Sequence, residues 1–293
     1  MAKARAIVKR RKAVRNIRKI TRTMQLIATA RFNQAFKRAT ATKPYTEKIT
    51  EMVGELSAAI AGQVDHPLLQ VNKGTGRTTL LVITSNRGLC GGYNSRVWAA
   101  GLEYVRACEK SGTKVDLHLV GKKAVGYARF RGLATSSKNT GIEDKPQFSD
   151  IEPIARGFID RYTAGETDSV YIAYMKFISV GRQSPELMQL LPMQQVGQVD
   201  EEGSPGSEVD YDFMPEPLEI LAELLPMTVK TRLYQCFTDA AVSEQLARMV
   251  AMKQATDAAE DMIKYLTQKY NRARQSQITT ELLDIMGGAE AIT

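Results

Sequence analysis

The stretch of this sequence that most suggests chemistry is a glycine-rich turn, NRGLCGGYN, at residues 86–94. A short apolar run from Thr79 to Thr84 precedes the turn and predicts a strand buried on both faces, and a helical pattern follows it. A strand, a glycine-rich turn and a helix in this order are typical of nucleotide-binding sites. The turn contains neither GxxxxGK[ST] nor GxGxxG, and no lysine or hydroxyl stands where a phosphate and magnesium would need it. We therefore interpret Gly88, Gly91 and Gly92 as a structural turn that uses glycine backbone angles.

The cysteines and histidines offer no alternative reactive centre. Cys90, Cys108 and Cys236 stand at unrelated spacings with no CxxC pair, which is typical of reduced, structural thiols. His66 and His118 are isolated in the sequence, and we interpret both as structural. We therefore expect no catalytic residue, no metal site and no cofactor in this chain.

The charge is concentrated at the N-terminal end. Residues 1–76 carry 16 Lys or Arg and 4 Asp or Glu, whereas the other 217 residues carry 24 and 28. Residues 1–46 contain no acidic side chain. The arginines of this basic arm that we single out are Arg10, Arg11, Arg15, Arg18 and Arg22.

Four interpretations of the basic arm compete: an organelle transit peptide, a nucleic-acid-binding arm, a solvated helix face, and a helix that passes an acidic protein partner. The helical pattern continues through Phe32 and Phe36 with no cleavage-like break, which argues against a transit peptide. No aromatic or hydrogen-bonding side chains are interleaved for base recognition, so only nonspecific phosphate contact would follow. An acidic protein partner also explains the length of the helix.

Apolar residues at helical spacing mark both ends of the chain. In the N-terminal arm, heptad spacing links Ile17, Ile20, Met24 and Ile27. In the C-terminal run the corresponding stripe contains Leu246, Met249, Val250, Met262, Ile263, Leu266, Tyr270, Ile278, Leu282 and Ile285. A long helix with a narrow apolar stripe needs a partner, so we expect the two arms to pair antiparallel as a coiled coil. Two ordinary amphipathic helices on a globular body are the alternative.

Several residues predict where these helices begin and end. Ser243, followed by Glu244 and Gln245, predicts a helix start. Pro44 predicts an end or a bend in the first arm. Pro217 suits the first turn of another helix.

The middle of the chain alternates apolar, β-rich runs with helical patterns. This order predicts an α/β layer domain with a mostly parallel sheet. The fold class is therefore α/β with long helices, in which an antiparallel coiled coil of the terminal helices accompanies a central Rossmann-like domain. We divide the chain into residues 1–76 (coiled-coil helix and linker), 77–207 (α/β domain) and 208–293 (C-terminal helix).

Three stretches together resemble the gamma subunits of F-type ATP synthases. They are NIRKITRTMQLIATARF at 16–32, SNRGLCGGYN at 85–94, and SEQLARMVAMKQATDAAEDMI with YNRARQSQITTELLDIMGGAEA at 243–263 and 270–291. Their order and spacing fit over essentially the whole chain. The resemblance is to the bacterial type, because the inserted segment with a regulatory disulfide of the chloroplast form is not seen.

The resemblance implies a non-catalytic subunit of the proton-transporting ATPase. Its coiled coil would be the rotor shaft inside the hexamer of alpha and beta subunits, and its foot would contact the epsilon subunit and the c ring. We would then expect a peripheral location on the cytoplasmic face of the bacterial inner membrane, without membrane insertion. Rotation of the c ring would carry each beta subunit through its conformations in turn.

The resemblance also assigns residues to these contacts. Contact with the beta subunits is implied for Arg10, Arg11, Arg15, Arg18, Arg22, Met24, Arg274 and Gln275. An acidic, aromatic segment would form the foot contact with the c ring and epsilon, through Glu208, Asp210, Tyr211, Asp212 and Glu216. On composition alone a second function stays open: a basic coiled-coil adaptor that binds nucleic acid or an anionic membrane surface.

Overall fold

The computed structural model describes residues 2–59, 66–72, 74–193 and 217–290. Their elements in chain order are α1 (Ala2–Ala59), β1 (Arg77–Ile83), α2 (Tyr93–Lys110), β2 (Lys114–Val120), α3 (Lys122–Arg131), β3 (Ser137–Asn139), α4 (Phe148–Thr163), β4 (Ser169–Ser179), β5 (Arg182–Leu191) and α5 (Pro217–Glu290). Contacts divide the chain into two compact units. One joins the start of α1, up to Ala30, to the part of α5 that begins at Arg248, and the other is Arg31–Ala247.

The larger unit is built on one sheet with the strand order β3-β2-β1-β4-β5. Strands β1 to β4 pair parallel, and β5 pairs antiparallel with β4 at the edge. In β1, every residue from Thr78 to Ile83 is buried. Such a continuous apolar run is expected when helices cover both faces of a parallel sheet. The mostly parallel α/β domain inferred from the sequence is therefore confirmed.

Two apolar cores lie in this unit. The first includes Val97 and Trp98 of α2 together with Leu80 and Val82 of β1. The second includes Tyr162 of α4 and a long stretch of α5. Alternate residues of β1 belong to different cores, as the two-residue period of a strand requires.

Helix α5 supplies much of the second core. It begins at Pro217, the position at which proline was expected. An apolar stripe of this segment is buried at Leu221, Leu225, Val229 and Leu233. Each residue follows the last by four, so the stripe drifts around the helix by about 40° per step and covers a broad surface.

One predicted helix start is wrong, and the helix end predicted at Pro44, with a bend as its alternative, does not occur. Ser243 does not start a helix, because it lies inside α5 with only 1% of its surface exposed. Pro44 does not end α1, which continues through it to Ala59. A proline inside a helix costs about 3 kcal/mol. Burial of Ala39 and Ile49 on either side of the proline favours the uninterrupted helix and offsets that cost.

A charged cluster around the buried carboxylate of Asp116 ties three elements of the larger unit together. The carboxylate of Asp116 accepts hydrogen bonds from Arg77 at 3.1 Å and from Arg161 at 2.9 Å. Burial alone would raise the pKa of Asp116, but these two arginines hold it below its usual value. Arg161 also lies 3.0 Å from Nε2 of His118, and burial together with that guanidinium lowers the pKa of His118 to about 4. His118 is therefore a neutral structural residue at physiological pH.

No helix among the described residues combines the length and the apolar character needed to cross a bilayer.

The turn between β2 and α3 allows a sharp test of the sheet. Gly121 has a φ of +94°, and a Cβ atom there would lie 2.3 Å from the carbonyl oxygen of Thr84. We expect Gly121→Ala to lower the free energy of unfolding by about 2–4 kcal/mol, because it adds both backbone strain and a clash. Urea unfolding of the purified chain measures this difference.

Gly126, inside α3, provides the matched control. Nothing lies within 4 Å of a Cβ atom added there. We expect Gly126→Ala to leave stability unchanged or to raise it by about 0.5–1 kcal/mol, since alanine favours the helix. Equal unfolding midpoints for the two variants would contradict the strained turn.

Candidate functional site

The smaller unit is an antiparallel helix pair, which we call the two-helix arm: residues 5–30 of α1 and 248–286 of α5. Three cross-helix contacts define its direction: Thr256 with Thr21, Glu260 with Arg18, and Tyr270 with Arg11. The α5 numbers rise as the α1 numbers fall, which confirms the antiparallel pairing.

The seam of α1, meaning the residues that turn toward α5, follows strict heptad spacing. Steps of four and three alternate along a line of buried or half-buried residues, with the half-buried Met24 and Thr29 beside it: Ile7, Arg11, Val14, Arg18, Thr21, Gln25 and Ala28. The seam of α5 obeys the same rule through Met252, Thr256, Ala259, Ile263, Leu266, Tyr270, Ala273 and Gln277. Both helices therefore carry the repeat of a coiled coil.

The heptad stripe predicted for α1 is not the seam. Ile17, Ile20 and Ile27 are 52%, 60% and 49% exposed, and only Met24 of that set is half-buried. Spacing alone cannot separate an apolar stripe that packs inside the pair from one on its outer side. The true seam was missed because arginine, threonine and glutamine fill several of its positions.

Prediction of the α5 stripe was partly right. Ile263, Leu266 and Tyr270 lie in the seam, with Leu266 only 3% exposed. Met262 and Leu282 are 39% and 55% exposed, so they lie outside it. The outer surface of α5 is therefore apolar toward its C-terminal end.

A buried hydroxyl pair stands in the middle of the seam. The Oγ1 atom of Thr256 donates to Oγ1 of Thr21 at 2.8 Å, and each residue is less than 10% exposed. The Thr21 hydroxyl donates in turn to the carbonyl of Arg18 at 3.1 Å, and Oγ1 of Thr256 also lies 2.8 Å from the carbonyl oxygen of Met252. A polar pair at a seam position specifies register while giving up apolar burial.

The five arginines of the basic arm divide into two groups. Arg11 and Arg18 occupy seam positions; Arg11 lies 5.2 Å from the ring centroid of Tyr270, and Arg18 lies 3.9 Å from Glu260. Arg10, Arg15 and Arg22 are exposed on the outer surface. Among the described residues, Arg10, Arg15 and Arg22 make no ion pair or ring contact with the other helix, so their charges face outward from the arm.

Arg274 and Gln275 are both exposed on α5. They lie between Ala273 and Gln277, which continue the seam, so the run of mostly polar residues at 271–277 does not interrupt the heptad repeat. Exposure leaves both side chains available to another molecule.

The glycine-rich turn has the geometry of a connector. Gly91 has a φ of +56°, which glycine adopts at little cost, and Leu89 has a φ of +64° without being glycine. Gly92 precedes α2 with a φ of −84°, and Gly88 does not have a positive φ. A Cβ atom on Gly88 would lie 3.4 Å from the side chain of Lys123.

Polar side chains that the sequence analysis passed over hold this turn. Asn94 accepts a hydrogen bond from the backbone N–H of Ser85 at 3.0 Å, and the Ser85 hydroxyl donates to the carbonyl of Arg87 at 2.7 Å. The hydroxyl of Tyr93 donates to the carbonyl of Ala240 in α5 at 3.2 Å. Within the motif, Asn94 and Tyr93 were the residues from which these contacts could have been predicted. The polar atoms of both residues form hydrogen bonds within the protein, which agrees with a structural role.

The described residues contain no group of three or more His, Cys, Asp or Glu side chains placed to hold a metal ion. The predicted foot residues Glu208, Asp210, Tyr211, Asp212 and Glu216 lie outside the described residues.

The two groups of arginines predict different effects on stability. We expect Arg11→Ala to lower the melting temperature of the purified chain, because it removes seam packing and a cation–π contact worth about 0.5–1 kcal/mol. Arg10→Ala, one residue away and exposed, is the control and should change stability by less than about 0.5 kcal/mol. If the two variants melt together, Arg11 does not contribute to the seam.

Comparison with known proteins covers the whole chain. A family model described as ATP synthase matches residues 3–292. The ATP synthase gamma chain of Rhodopirellula baltica is 46% identical over 295 residues, covering 100% of this chain and 99% of the relative. The ATP synthase gamma chain of Leptospira biflexa is 39% identical over 293 residues, with full coverage of both.

Among solved structures, a chain of the Euglena gracilis mitochondrial ATP synthase (OSCP/F1/c-ring, rotational state 3) matches with a TM-score of 0.64 and 16% identity. The match covers 99% of this chain and 95% of that one, and at this identity it supports the fold alone. The antiparallel arm, the α/β sheet and the full-length sequence identity agree, and the chain belongs to the family of ATP synthase gamma chains.

Proposed function

We propose that this protein is the central rotor shaft of an F-type ATP synthase and couples rotation of a c ring to catalysis in a hexamer of alpha and beta subunits. The shaft itself supplies no catalytic group. Its asymmetric surface favours a different conformation of each beta subunit, so rotation moves every site through binding, synthesis and release.

The observation that carries this proposal is the outer surface of the two-helix arm. Arg10, Arg15 and Arg22 lie on the same helix as the exposed Ile17 and Ile20. A solvated helix would have little use for isoleucines that are more than half exposed. A surrounding protein wall with acidic and apolar patches explains both kinds of residue.

The proposed beta-subunit contacts are Arg10, Arg11, Arg15, Arg18, Arg22, Met24, Arg274 and Gln275. Exposure supports a direct role for Arg10, Arg15, Arg22, Arg274 and Gln275. Arg11 and Arg18 lie in the seam, and we propose that they act by positioning the arm. This division refines the set that the sequence suggested.

We place the contact with the c ring and the epsilon subunit in the segment that holds Glu208, Asp210, Tyr211, Asp212 and Glu216. Residues 183–229 carry ten acidic side chains and no Lys or Arg, which supports docking to a basic surface. The corresponding functional parts would be residues 1–76 and 208–293 for the shaft and foot, and 77–207 for the flanking domain. The subunit would lie peripherally on the cytoplasmic side of the bacterial inner membrane.

Reconstitution tests the function directly. The purified chain, mixed with alpha and beta subunits, should form a stoichiometric complex with ATPase activity, and a probe fixed to the exposed end of the chain should rotate during hydrolysis. A complex that hydrolyses ATP equally well without this chain would refute the rotor function.

Arg274 and Gln275 give a prediction about turnover. A hydrogen bond from a charged donor is worth about 1.5–3 kcal/mol, and if it forms at only some rotor angles it holds one beta conformation and then releases it. We expect Arg274→Ala with Gln275→Ala to lower steady-state ATPase turnover of the complex about tenfold or more. The melting temperature of the free chain should stay near wild type, because both side chains are exposed.

The control is Arg272→Ala, an exposed arginine two residues away that is outside the proposed contact. It should leave turnover near wild type. A double variant that melts early yet retains full turnover per complex would show that Arg274 and Gln275 are structural residues.

The acidic foot gives a separate prediction about coupling. Reversing the charge of Asp210, Asp212 and Glu216 to lysine should weaken docking on the c ring without touching the catalytic hexamer. Proton pumping by the complete enzyme in vesicles should fall while ATP hydrolysis by the soluble complex continues. A normal ratio of pumping to hydrolysis would place the foot contact elsewhere.

A further inference from the structure

A cavity of about 480 Å³ opens in the larger unit, where the second half of α1, the β4–β5 pair and α5 meet. This volume falls within the roughly 300–1,000 Å³ typical of small-molecule sites. Neither the glycine-rich turn nor the two-helix arm contributes to its lining. The proposed rotor function therefore gives the cavity no role.

One wall of the cavity is apolar and aromatic. The rings of Phe36 and Phe177 meet edge to face with centroids 5.7 Å apart, and Ile178 and Met188 extend the same wall. Phe36 and Ile178 are 40% and 50% exposed. Apolar surface is therefore available to a ligand at the mouth of the cavity.

Six charged side chains line the remainder, and four of them neutralise one another. Lys176 of β4 pairs with Glu186 of β5 at 2.9 Å, and Lys43 pairs with Glu47 on α1 at 3.5 Å. The other two, Arg232 and Asp239, come from α5. These two form no ion pair with any other residue that the structure describes.

Arg232 is a half-buried guanidinium with no hydrogen-bond partner among the described residues. Burial lowers the pKa of Arg232, and the neighbouring Cys236 opposes that shift. A partly buried cation without a counter-ion has lost part of its hydration, and a bound anion would offset that loss. The cavity thus has one site that favours negative charge.

Asp239 lies seven residues beyond Arg232 on the same side of α5, about 10 Å along the helix axis. Burial raises the pKa of Asp239 to about 6, while a hydrogen bond from Gln235 and the charges of Lys176 and Lys43 oppose the rise, and Glu186 adds to it. The carboxyl accepts a hydrogen bond from Gln235 at 2.9 Å and keeps further acceptor capacity. A hydrogen-bond donor on a ligand could therefore bind the Asp239 carboxyl.

We propose that this cavity binds an elongated amphipathic organic anion, with its acidic group at Arg232, its apolar body against Phe36 and Phe177, and a hydrogen-bond donor toward Asp239. The thiol of Cys236 takes no chemical part, because burial raises its pKa and keeps it protonated.

Calorimetric titration of the purified full chain tests the site with three probes that share a ten-carbon chain. These are decanoate, its ω-hydroxy derivative and decanol. Decanoate should bind with one-to-one stoichiometry, the ω-hydroxy acid more tightly, and decanol at least about tenfold more weakly because it lacks the charge that Arg232 needs. Absence of saturable decanoate binding, or equal binding of decanol, would overturn the proposal.

Variants of the cavity identify the groups responsible. Arg232→Met should weaken decanoate binding about tenfold or more, and Arg232→Lys should retain most of it. Arg129→Met, on the exposed face of α3, is the matched control and should bind as wild type. Decanoate binding that is unchanged in a folded Arg232→Met variant would contradict the assignment.

A second variant keeps the test decisive if Arg232→Met does not fold. Thr40 is exposed on α1 and lines the cavity, so Thr40→Trp fills the mouth without removing a buried group. It should abolish decanoate binding while the melting temperature stays near wild type. Full binding in this variant would place the ligand outside the cavity.

Discussion

The structure depends above all on the burial of α5, which uses two different apolar patterns in its two parts. From Leu221 to Phe237 the buried leucine, valine and phenylalanine residues recur every four positions. A four-residue step exceeds one helical turn by about 40°, so this stripe moves around the helix and covers a broad surface. From Met252 to Gln277 steps of four and three alternate, which keeps the buried residues on one narrow line. The first pattern suits the core of the α/β unit, and the second suits a partner helix.

The partner line on α1 is unusually polar for a coiled coil. Arg11, Arg18, Thr21 and Gln25 occupy positions where apolar residues would give the most stability. The hydroxyl contact between Thr21 and Thr256 shows how such a seam stays satisfied, since each buried oxygen has a partner. The polar seam therefore gives the helix pair less stability than an apolar seam would, while Ile17, Ile20 and Ile27 lie exposed on the outer surface.

The sequence was sufficient for the class of fold, because strand and helix periods in the middle of the chain are distinct and the apolar runs are strong. It was insufficient for the seam, since Ile17 and Ile20 obey the same spacing as the residues that pack. Packing also overrode local signals: Pro44 lies within α1 and does not end it, and Ser243 is buried within α5 and does not start it. The local preference of a proline or of a helix-capping serine is worth about 3 kcal/mol or less, so tertiary packing can override it.

The candidate site shows the same limit. Arginines at 10, 11, 15, 18 and 22 look equivalent in the sequence, yet their places on the helix separate those that pack from those that face outward. The cavity beside Arg232 left no signal at all, because its lining comes from three segments far apart in the chain. Residues so far apart in the sequence form a recognisable site only after the fold has brought them together.

A shaft that turns inside a protein wall has to hold its neighbours and still release them. Apolar contacts such as those available to Ile17, Ile20 and Ile27 are non-directional, so they change little as the surfaces slide. Hydrogen bonds that a charged side chain such as Arg274 would donate to a beta subunit are directional and weaken steeply when the angle is lost. In the proposed function the isoleucines would therefore centre the shaft at every angle, whereas the exposed arginines would distinguish one angle from the next. The placement of apolar side chains outside the seam, which lowers the stability of the helix pair alone, follows from that requirement.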